Sequence, residues 1–258
     1  MAIVYDLHPD DPQQRLINQA AGLLANGGIL AIPTDSSYAL VARLDDKDAA
    51  DKLRSLRGLD DRHHLTLLCR DLSEIAKFAQ VDNQQYRLLK TATPGPWTFI
   101  LEATKDVPKR VHHRSRKTIG IRVPEHKIAL MFLETVGAPL LATTFIAPGQ
   151  EEPFTDIQDF QADYQHELAG IIDAGSCSGI GTTVIDLTQT PAEIIRRGSG
   201  DPGRPVMLHG IPPFSGYVSV GLRDREGARS PAGGFISSGS SGSRCTPPWW
   251  GWSHGCPR

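Results

Sequence analysis

Residues 28–38, GILAIPTDSSY, join a short apolar run to a polar turn. The run GILAI at 28–32 has the length and apolar character of a buried strand. The turn that follows, PTDSSY at 33–38, carries hydroxyls and a carboxylate. Because ligands often bind where strands end in α/β sheets, this turn is a candidate ligand site. Upstream, residues 13–25 place apolar side chains on one helical face, so a helix precedes the strand.

Strand and helix patterns alternate from this point to about residue 200. Further strands are predicted at 65–68, 97–102, 118–123, 140–144, 183–187 and 193–196. Further helices are predicted at 47–56, 72–78, 83–91 and 127–136. This order of elements predicts an α/β fold, in which flanking helices cover a twisted sheet of mixed parallel and antiparallel strands.

The composition changes sharply near residues 201–206. Residues 1–205 are predicted to form one domain. Residues 206–258 are rich in Gly, Ser, Pro and Arg and lack apolar periodicity, so we expect a disordered tail. Three of the four tryptophans lie at its end. They indicate either a docking motif or a read-through or frameshifted terminus, and we favour the second.

The bulk composition sets limits on function. The 258 residues are 40% hydrophobic and 22% charged, with a formal net charge of -2. This excludes a polycation, so any nucleic-acid contact must come from a local basic patch. No leader or membrane-spanning stretch is evident, and the expected location is the cytoplasm, away from membranes. The cysteines and histidines lack metal-ligand spacing, so we expect no resident metal site.

Three basic clusters are candidates for phosphate binding. The densest consists of Lys105, Lys109, Arg110, Arg114, Arg116 and Lys117 with two histidines. The second consists of Arg54, Arg57, Arg62, His63, His64 and Arg70. The third is Arg196-Arg197. A lone basic run is usually a solvated surface loop. Convergence of the three on one cleft would favour a phosphate site instead.

The glycine-rich segment GSCSGIG at 175–181 matches neither a dinucleotide fingerprint, nor a P-loop, nor a nucleophile elbow. A plain turn is the favoured interpretation. Cys177 is a conceivable nucleophile, but the sequence identifies no partner histidine.

Five motifs carry a family resemblance. PTDSSYAL, PGPWTFIL, KTIGIRVPEH, TTVIDLT and EIIRRG occur in the order typical of the YrdC-like family of threonylcarbamoyl-AMP synthases. The resemblance spans about residues 12–200 and is strongest to the YciO branch. It implies a twisted, mixed α/β sheet with a positively charged concave surface. Synthases of this family combine L-threonine, bicarbonate and ATP with Mg²⁺, and their product modifies a tRNA adenosine.

The resemblance also implies residue roles. Thr34, Tyr38 and Arg122 would form the threonine pocket, and Arg57 and Thr144 would be catalytic. The nucleotide and its phosphates would be bound by Arg54, Arg62, His63, Thr182 and Arg196. A nucleic-acid patch would consist of Lys109, Arg110, Arg114, Arg116 and Lys117.

The sequence departs from the synthase pattern at two of these motifs. Synthases carry Lys-x-Arg after the second helix, where this chain ends the motif in Leu59. They carry Ser-x-Asn after the strand ending at Thr144, where this chain has Ile146. Losing one donor to developing charge costs about 10²- to 10³-fold in rate, so we expect at most weak synthase activity. His63 also replaces a lysine common in the family.

Two function classes follow. The first, which we favour, is a YciO-type protein that binds double-stranded RNA, tRNA or nucleotide through a basic concave face. The second is a slow threonylcarbamoyl-AMP synthase, in which Arg54 or Arg62 substitutes for the missing cation and Mg²⁺ accompanies ATP. A different activity on ATP or an amino acid in the same pocket is also compatible with the intact PTD turn and Arg122.

Overall fold

A computed structural model describes residues 1–59, 65–108, 111 and 117–201. These residues belong to one structural unit. The predicted tail at 206–258 lies outside them, so its predicted disorder stays a prediction.

The described residues form an α/β structure built on eleven strands. In chain order the strands are β1 (Ile3–Asp6), β2 (Leu30–Ile32), β3 (Ala39–Arg43), β4 (Thr66–Leu68), β5 (Ala79–Gln80), β6 (Trp97–Ala103), β7 (Thr118–Arg122), β8 (Leu140–Thr144), β9 (Gly170–Asp173), β10 (Thr183–Asp186) and β11 (Glu193–Arg196). The helices are α1 (Gln14–Ala25), α2 (Lys47–Leu56), α3 (Leu72–Phe78), α4 (Asn83–Ala92), α5 (Lys127–Val136) and α6 (Gln161–Tyr164).

All of these strands belong to a single sheet. Its order is β1-β9-β2-β3-β8-β4-β7-β6-β10-β11, with β5 paired to β6 beside this path. The pairs β1·β9, β2·β9, β4·β7 and β6·β10 are parallel, and the others are antiparallel. The predicted mixed sheet with flanking helices is therefore confirmed.

Helix ends follow local capping chemistry. Asp46, Asp71 and Asp82 accept backbone N–H bonds at the starts of α2, α3 and α4. At α4 the Gln85 side chain accepts a hydrogen bond from the Asp82 backbone N–H, which completes a capping box. Helix α5 ends at Gly137, whose φ of 70° is the left-handed conformation that glycine adopts without steric cost.

The two faces of the sheet are covered differently. One face packs on a large core to which β7 contributes Ile119 and Ile121. On the other face, α1 and α5 pack on β1, β9, β2 and β3 and reach residues of β8 and β4. Because side chains alternate along a strand, Gly120 and Arg122 lie on this second face, where β7 lines an open cavity. The concave site therefore exists where no helix covers the sheet.

The predicted elements from residues 13 to 196 are present, with ends displaced by at most two residues. Four strands beyond the predictions complete the sheet: β1, β3, β5 and β9. Among the described residues, no helix combines the length and the apolar character needed to cross a membrane.

Candidate ligand-binding site

The open part of the sheet forms a cavity of about 250 Å³. Seven strands contribute to it, together with the turn after β2 and the residue before β10. Its lining is rich in hydroxyls, which come from Thr34, Ser37, Thr66, Thr98, Thr143, Thr144 and Thr182. Two arginines, Arg122 and Arg196, supply positive charge. Such a lining suits a small polar ligand that bears an anionic group.

Arg122 is held at the cavity by a buried ion pair. Its Nη2 lies 2.6 Å from Asp35 Oδ1, and its Nη1 donates to Ser36 Oγ at 3.1 Å. The side chain is nearly inaccessible to solvent, at 9% exposure. Burial lowers the pKa of Arg122, and the Asp35 carboxylate opposes that shift.

The pair retains hydrogen-bonding capacity. Asp35 Oδ1 also accepts from the backbone N–H of Glu125 at 3.1 Å. Within the described residues, Arg122 Nε and Asp35 Oδ2 are buried and have no hydrogen-bond partner. Both atoms are inaccessible to solvent, so the ion pair is incompletely satisfied within the protein.

The PTD turn is fixed by its own hydroxyls. Thr34 Oγ1 donates to the Ser37 carbonyl at 2.7 Å and accepts from the backbone N–H groups of Ser36 and Ser37. Thr34 therefore lines the cavity, as predicted, with its hydroxyl engaged in the turn. Its role in threonine binding stays a prediction.

Tyr38 requires a correction. It was expected to line the same cavity, but its ring lies in the large core beneath the opposite face, with its centroid 5.1 Å from that of Phe160. Its hydroxyl donates to Asp173 Oδ1 at 3.3 Å. The alternation of side chains at the start of β3 is the reason, since Ser37 and Ala39 occupy the cavity side.

Thr182 and Arg196 form the second polar centre of the cavity. The Thr182 hydroxyl lies 2.9 Å from that of Thr98, and Arg196 Nη2 lies 3.3 Å from it. Arg196 also donates to the Thr182 carbonyl from both Nε and Nη2. These bonds orient the Arg196 guanidinium beside the hydroxyls at the cavity, and the predicted roles of both residues in nucleotide binding stay predictions.

The two residues predicted to be catalytic have different positions. Thr144 is exposed and lines the cavity at the end of β8. Arg57 does not belong to the lining, and its Nη1 donates to the backbone carbonyl of Ile146. Burial lowers the pKa of Arg57. Its guanidinium is thus engaged with the chain, and a catalytic role stays a prediction.

The predicted convergence of basic clusters is only partly visible. Arg54 lies outside the cavity lining, and exposed Lys117, with a φ of 53°, also lies outside it. Arg62, His63, Lys109, Arg110, Arg114 and Arg116 lie outside the described residues. Of the third cluster, Arg196 reaches the cavity and Arg197 does not.

The glycine-rich segment at 175–181 packs along the PTD turn. Ser178 Oγ donates to the Asp35 carbonyl at 2.8 Å, and the Gly179 N–H donates to the Ser36 carbonyl at 2.8 Å. Burial raises the pKa of Cys177 to about 11, so its thiol is protonated at neutral pH. This disfavours Cys177 as a nucleophile, because the thiolate is the reactive form.

Several site residues were not predicted from the sequence. Asp35 was noted only as a carboxylate in the turn, and its partner Arg122 is distant in sequence. His126 lies at the start of α5, where its Nδ1 accepts from the Ala129 N–H at 3.4 Å. Burial lowers the pKa of His126, with Asp35 opposing the shift and Arg122 adding to it. The sequence did contain a signal for these residues, since Asp35 and His126 each lie within a few residues after a predicted strand.

No group of three histidine, cysteine or acidic side chains suited to a metal ion occurs in the part of the chain that the structure describes. The carboxylate nearest the cavity, Asp35, is paired with Arg122. The residues present therefore offer hydroxyls and guanidinium groups to a ligand, and not a ready-made metal cage.

The fold and site are those of an α/β protein with a mixed sheet and a polar, arginine-containing cavity on its open face. The Sua5/YciO/YrdC family model, described as "Telomere recombination", matches residues 22–198. The chain therefore belongs to the Sua5/YciO/YrdC family.

Among its relatives is the Escherichia coli K12 protein named uncharacterized protein YciO. It is 44% identical over 201 residues, which cover 78% of this chain and 98% of the relative. The crystal structure of E. coli YciO superposes with a TM-score of 0.75 over the same shares of the two chains. This chain is thus similar to YciO over nearly the whole length of that protein.

Threonylcarbamoyl-AMP synthases are more distant relatives. The Pyrococcus abyssi synthase is 30% identical over 184 residues, covering 70% of this chain and 54% of the synthase. The structure of P. abyssi Sua5 complexed with L-threonine is 27% identical with a TM-score of 0.72, covering 76% of this chain and 58% of that protein. This chain therefore matches slightly more than half of the synthase.

Proposed function

We propose that this protein is a YciO-type nucleotide-binding protein, whose concave cavity holds ATP together with a small amino acid. Threonylcarbamoyl-AMP synthesis is the second candidate function, as a slow activity of the same cavity. One observation carries the proposal: Arg122 and Arg196 line one cavity whose other polar side chains are hydroxyls, with no carboxylate in the described lining.

The end of the cavity at Arg122 suits the carboxylate of an amino acid. Arg122 belongs to the cavity lining, and guanidinium groups bind carboxylates through charge-assisted hydrogen bonds. The solved relative complexed with L-threonine supports this class of ligand.

The other end of the cavity suits phosphate oxygens. Arg196 presents an exposed guanidinium beside the hydroxyls of Thr182 and Thr98. Guanidinium groups bind phosphate through charge-assisted hydrogen bonds, and hydroxyls add neutral donors. Mg²⁺, which the synthase reaction requires, would be bound mainly through the phosphates of ATP, because no described carboxylate belongs to the lining. In that complex Mg²⁺ would neutralise phosphate charge.

Two observations support a slow synthase over an efficient one. Arg57 bonds to the Ile146 carbonyl outside the lining, and Leu59 packs against the large core. Neither is placed to stabilise charge that develops on the phosphates. A synthase activity is supported by Thr34, Arg122, Thr182 and Arg196, which all line the cavity.

RNA binding stays a separate prediction. It depends on Lys109, Arg110, Arg114, Arg116 and Lys117, of which only Lys117 is described. A filter-binding series with double-stranded RNA and tRNA at increasing salt tests it, since phosphate contacts give a linear loss of log affinity with log salt. Affinity that does not change with salt would contradict the prediction.

Isothermal titration calorimetry of ATP with Mg²⁺, with and without L-threonine, tests the nucleotide site. We expect Arg196→Ala to weaken ATP binding about tenfold or more, because a charge-assisted phosphate contact is lost. Arg197→Ala is the matched control, since this neighbouring arginine is exposed and outside the lining. Equal loss in the two variants would show general electrostatics and contradict a site at Arg196.

Pyrophosphate release separates binding from synthesis. ATP, Mg²⁺ and bicarbonate are supplied with and without L-threonine, and Arg122→Ala serves as the control for the amino-acid site. Threonine-dependent release that this substitution abolishes would establish the second candidate. ATP binding without threonine-dependent release would leave nucleotide binding as the function.

A further inference from the structure

Residues 175–182 connect the PTD turn beside Arg122 to the part of the cavity formed by Thr182 and Arg196. At one end, Ser178 and Gly179 bond to the carbonyls of Asp35 and Ser36. At the other end, Thr182 belongs to the cavity lining and bonds to Arg196. The Gly181 carbonyl accepts from the Ser199 N–H at 2.9 Å. The segment is therefore fixed on both sides of Ile180.

Ile180 is an exposed aliphatic residue on this fixed segment. Its exposure is 58%, although it stands between Gly179 and Gly181 and only two residues before Thr182. A Cβ built on Gly181 would lie 3.7 Å from Arg196 Nη2, so the segment passes directly beside the guanidinium. Ile180 therefore directly precedes the residue whose backbone passes beside the candidate phosphate-binding cation.

We propose that Ile180 forms an apolar contact for the nucleobase of the nucleotide whose phosphates Arg196 binds. The inference rests on the proposed nucleotide binding and assigns a base-recognition residue to it. A nucleotide is amphiphilic: its phosphates require cations, and its base gains free energy by covering apolar surface. Arg196 offers the cation at the cavity, and Ile180 offers exposed apolar surface two residues before the lining residue Thr182.

The flanking glycines fit this role. Neither has a side chain that would shield Ile180, and Gly179, with a φ of 77°, holds a backbone conformation that favours glycine. The hydrogen bonds of Ser178 and Gly179 hold the backbone beside Ile180 before any ligand binds. A preformed apolar surface loses little conformational entropy on binding.

Comparing ATP with inorganic tripolyphosphate isolates the base contact. Both are titrated calorimetrically against the full chain, Ile180→Ala and Ile3→Ala. Ile3 is a matched control because it is an exposed isoleucine, at 49%, on β1 at the far end of the sheet from β10 and β11. We expect Ile180→Ala to weaken ATP binding about five- to tenfold and to leave tripolyphosphate binding unchanged.

The remaining outcomes are distinguishable. If the unaltered protein binds ATP and Ile180→Ala weakens ATP and tripolyphosphate equally, or weakens neither, the base contact is wrong while nucleotide binding stands. If the unaltered protein does not bind ATP, the proposed nucleotide function fails, and the inference fails with it. Thermal melts of the three proteins establish that each variant is folded.

Discussion

Arg57 donates a hydrogen bond from Nη1 to the backbone carbonyl of Ile146, and so joins the turn after α2 to the loop after β8. Gly58 continues this contact, since a Cβ at that position would lie 3.5 Å from the Pro148 side chain. Leu59 follows and packs against the large core. The two positions at which the chain departs from the synthase pattern, Leu59 and Ile146, therefore lie in the two loops that Arg57 joins.

Replacing Arg57 by Ala should destabilise the protein. The Ile146 carbonyl would lose its charged partner, a change that costs about 1–3 kcal/mol when the acceptor is left without a substitute. Urea unfolding measures the loss. Lys52→Ala, an exposed site on the same helix, is the control and should have little effect. Unchanged stability of the Arg57 variant would mean that the bond contributes nothing to the fold.

Restoring the synthase residues should increase synthase activity. In the double variant Leu59→Arg with Ile146→Asn, we expect threonine-dependent pyrophosphate release to rise about tenfold or more, because each residue supplies a donor to developing phosphate charge. The single variants should each rise less. Release that stays at the level of the unaltered protein, in a variant that still melts cooperatively, would show that these two positions do not limit the reaction.

Gly120 sets the depth of the cavity. It lies in β7 between Thr66 and Thr98, and an added Cβ would meet Thr66 Oγ1 at 3.3 Å. We expect Gly120→Ala to weaken ATP binding by at least about fivefold, because the methyl group raises the floor against the ligand. Gly22→Ala is the control, since nothing lies within 4 Å of the Cβ on this exposed helical glycine. Unimpaired ATP binding by Gly120→Ala would place the ligand elsewhere.

The sequence predicted most of the helices and strands, and it missed strands β1, β3, β5 and β9. Amphipathic runs such as 127–136 and apolar runs such as 140–144 are long enough for their period to identify them. Strand β1 has four residues, of which three are exposed, so it lacks an apolar signal. Strand β9 also has four residues. Such strands exist because a neighbouring strand supplies their hydrogen bonds, which no local pattern records.

The site could be predicted only in part, because its geometry depends on contacts between residues that are distant in the sequence. Which face Tyr38 occupies depends on the backbone of the turn before it, and a shift of one residue reverses the answer. The pairing of Asp35 with Arg122 joins residues 87 positions apart. The motif order indicated that Thr34, Arg122, Thr182 and Arg196 share a site, and the structure brings these four together. The bond from Arg57 to the Ile146 carbonyl could not be predicted, because it depends on how two loops pack against each other.

His126 links the site to the stability of α5. Its Nδ1 accepts from the Ala129 N–H at the start of the helix, a bond that requires an unprotonated nitrogen. Burial lowers the pKa of His126 from its ordinary 6.5, Asp35 opposes this shift, and Arg122 adds to it. Protonation would therefore both remove the cap and place a charge in a buried site.

The protein should accordingly lose stability as the pH falls below 6.5. In that range the unfolded chain binds a proton at His126 more readily than the folded protein does, so the free energy of unfolding is highest above pH 6.5 and decreases toward the lower folded-state pKa. His126→Asn keeps a capping acceptor but cannot titrate. Urea unfolding between about pH 5 and 7.5 should therefore show a shallower acid loss in this variant than in the unaltered protein. His166→Asn, at an exposed position, should retain the full loss. Equal acid loss in His126→Asn would assign the pH dependence to other groups, because this variant lacks the imidazole of His126.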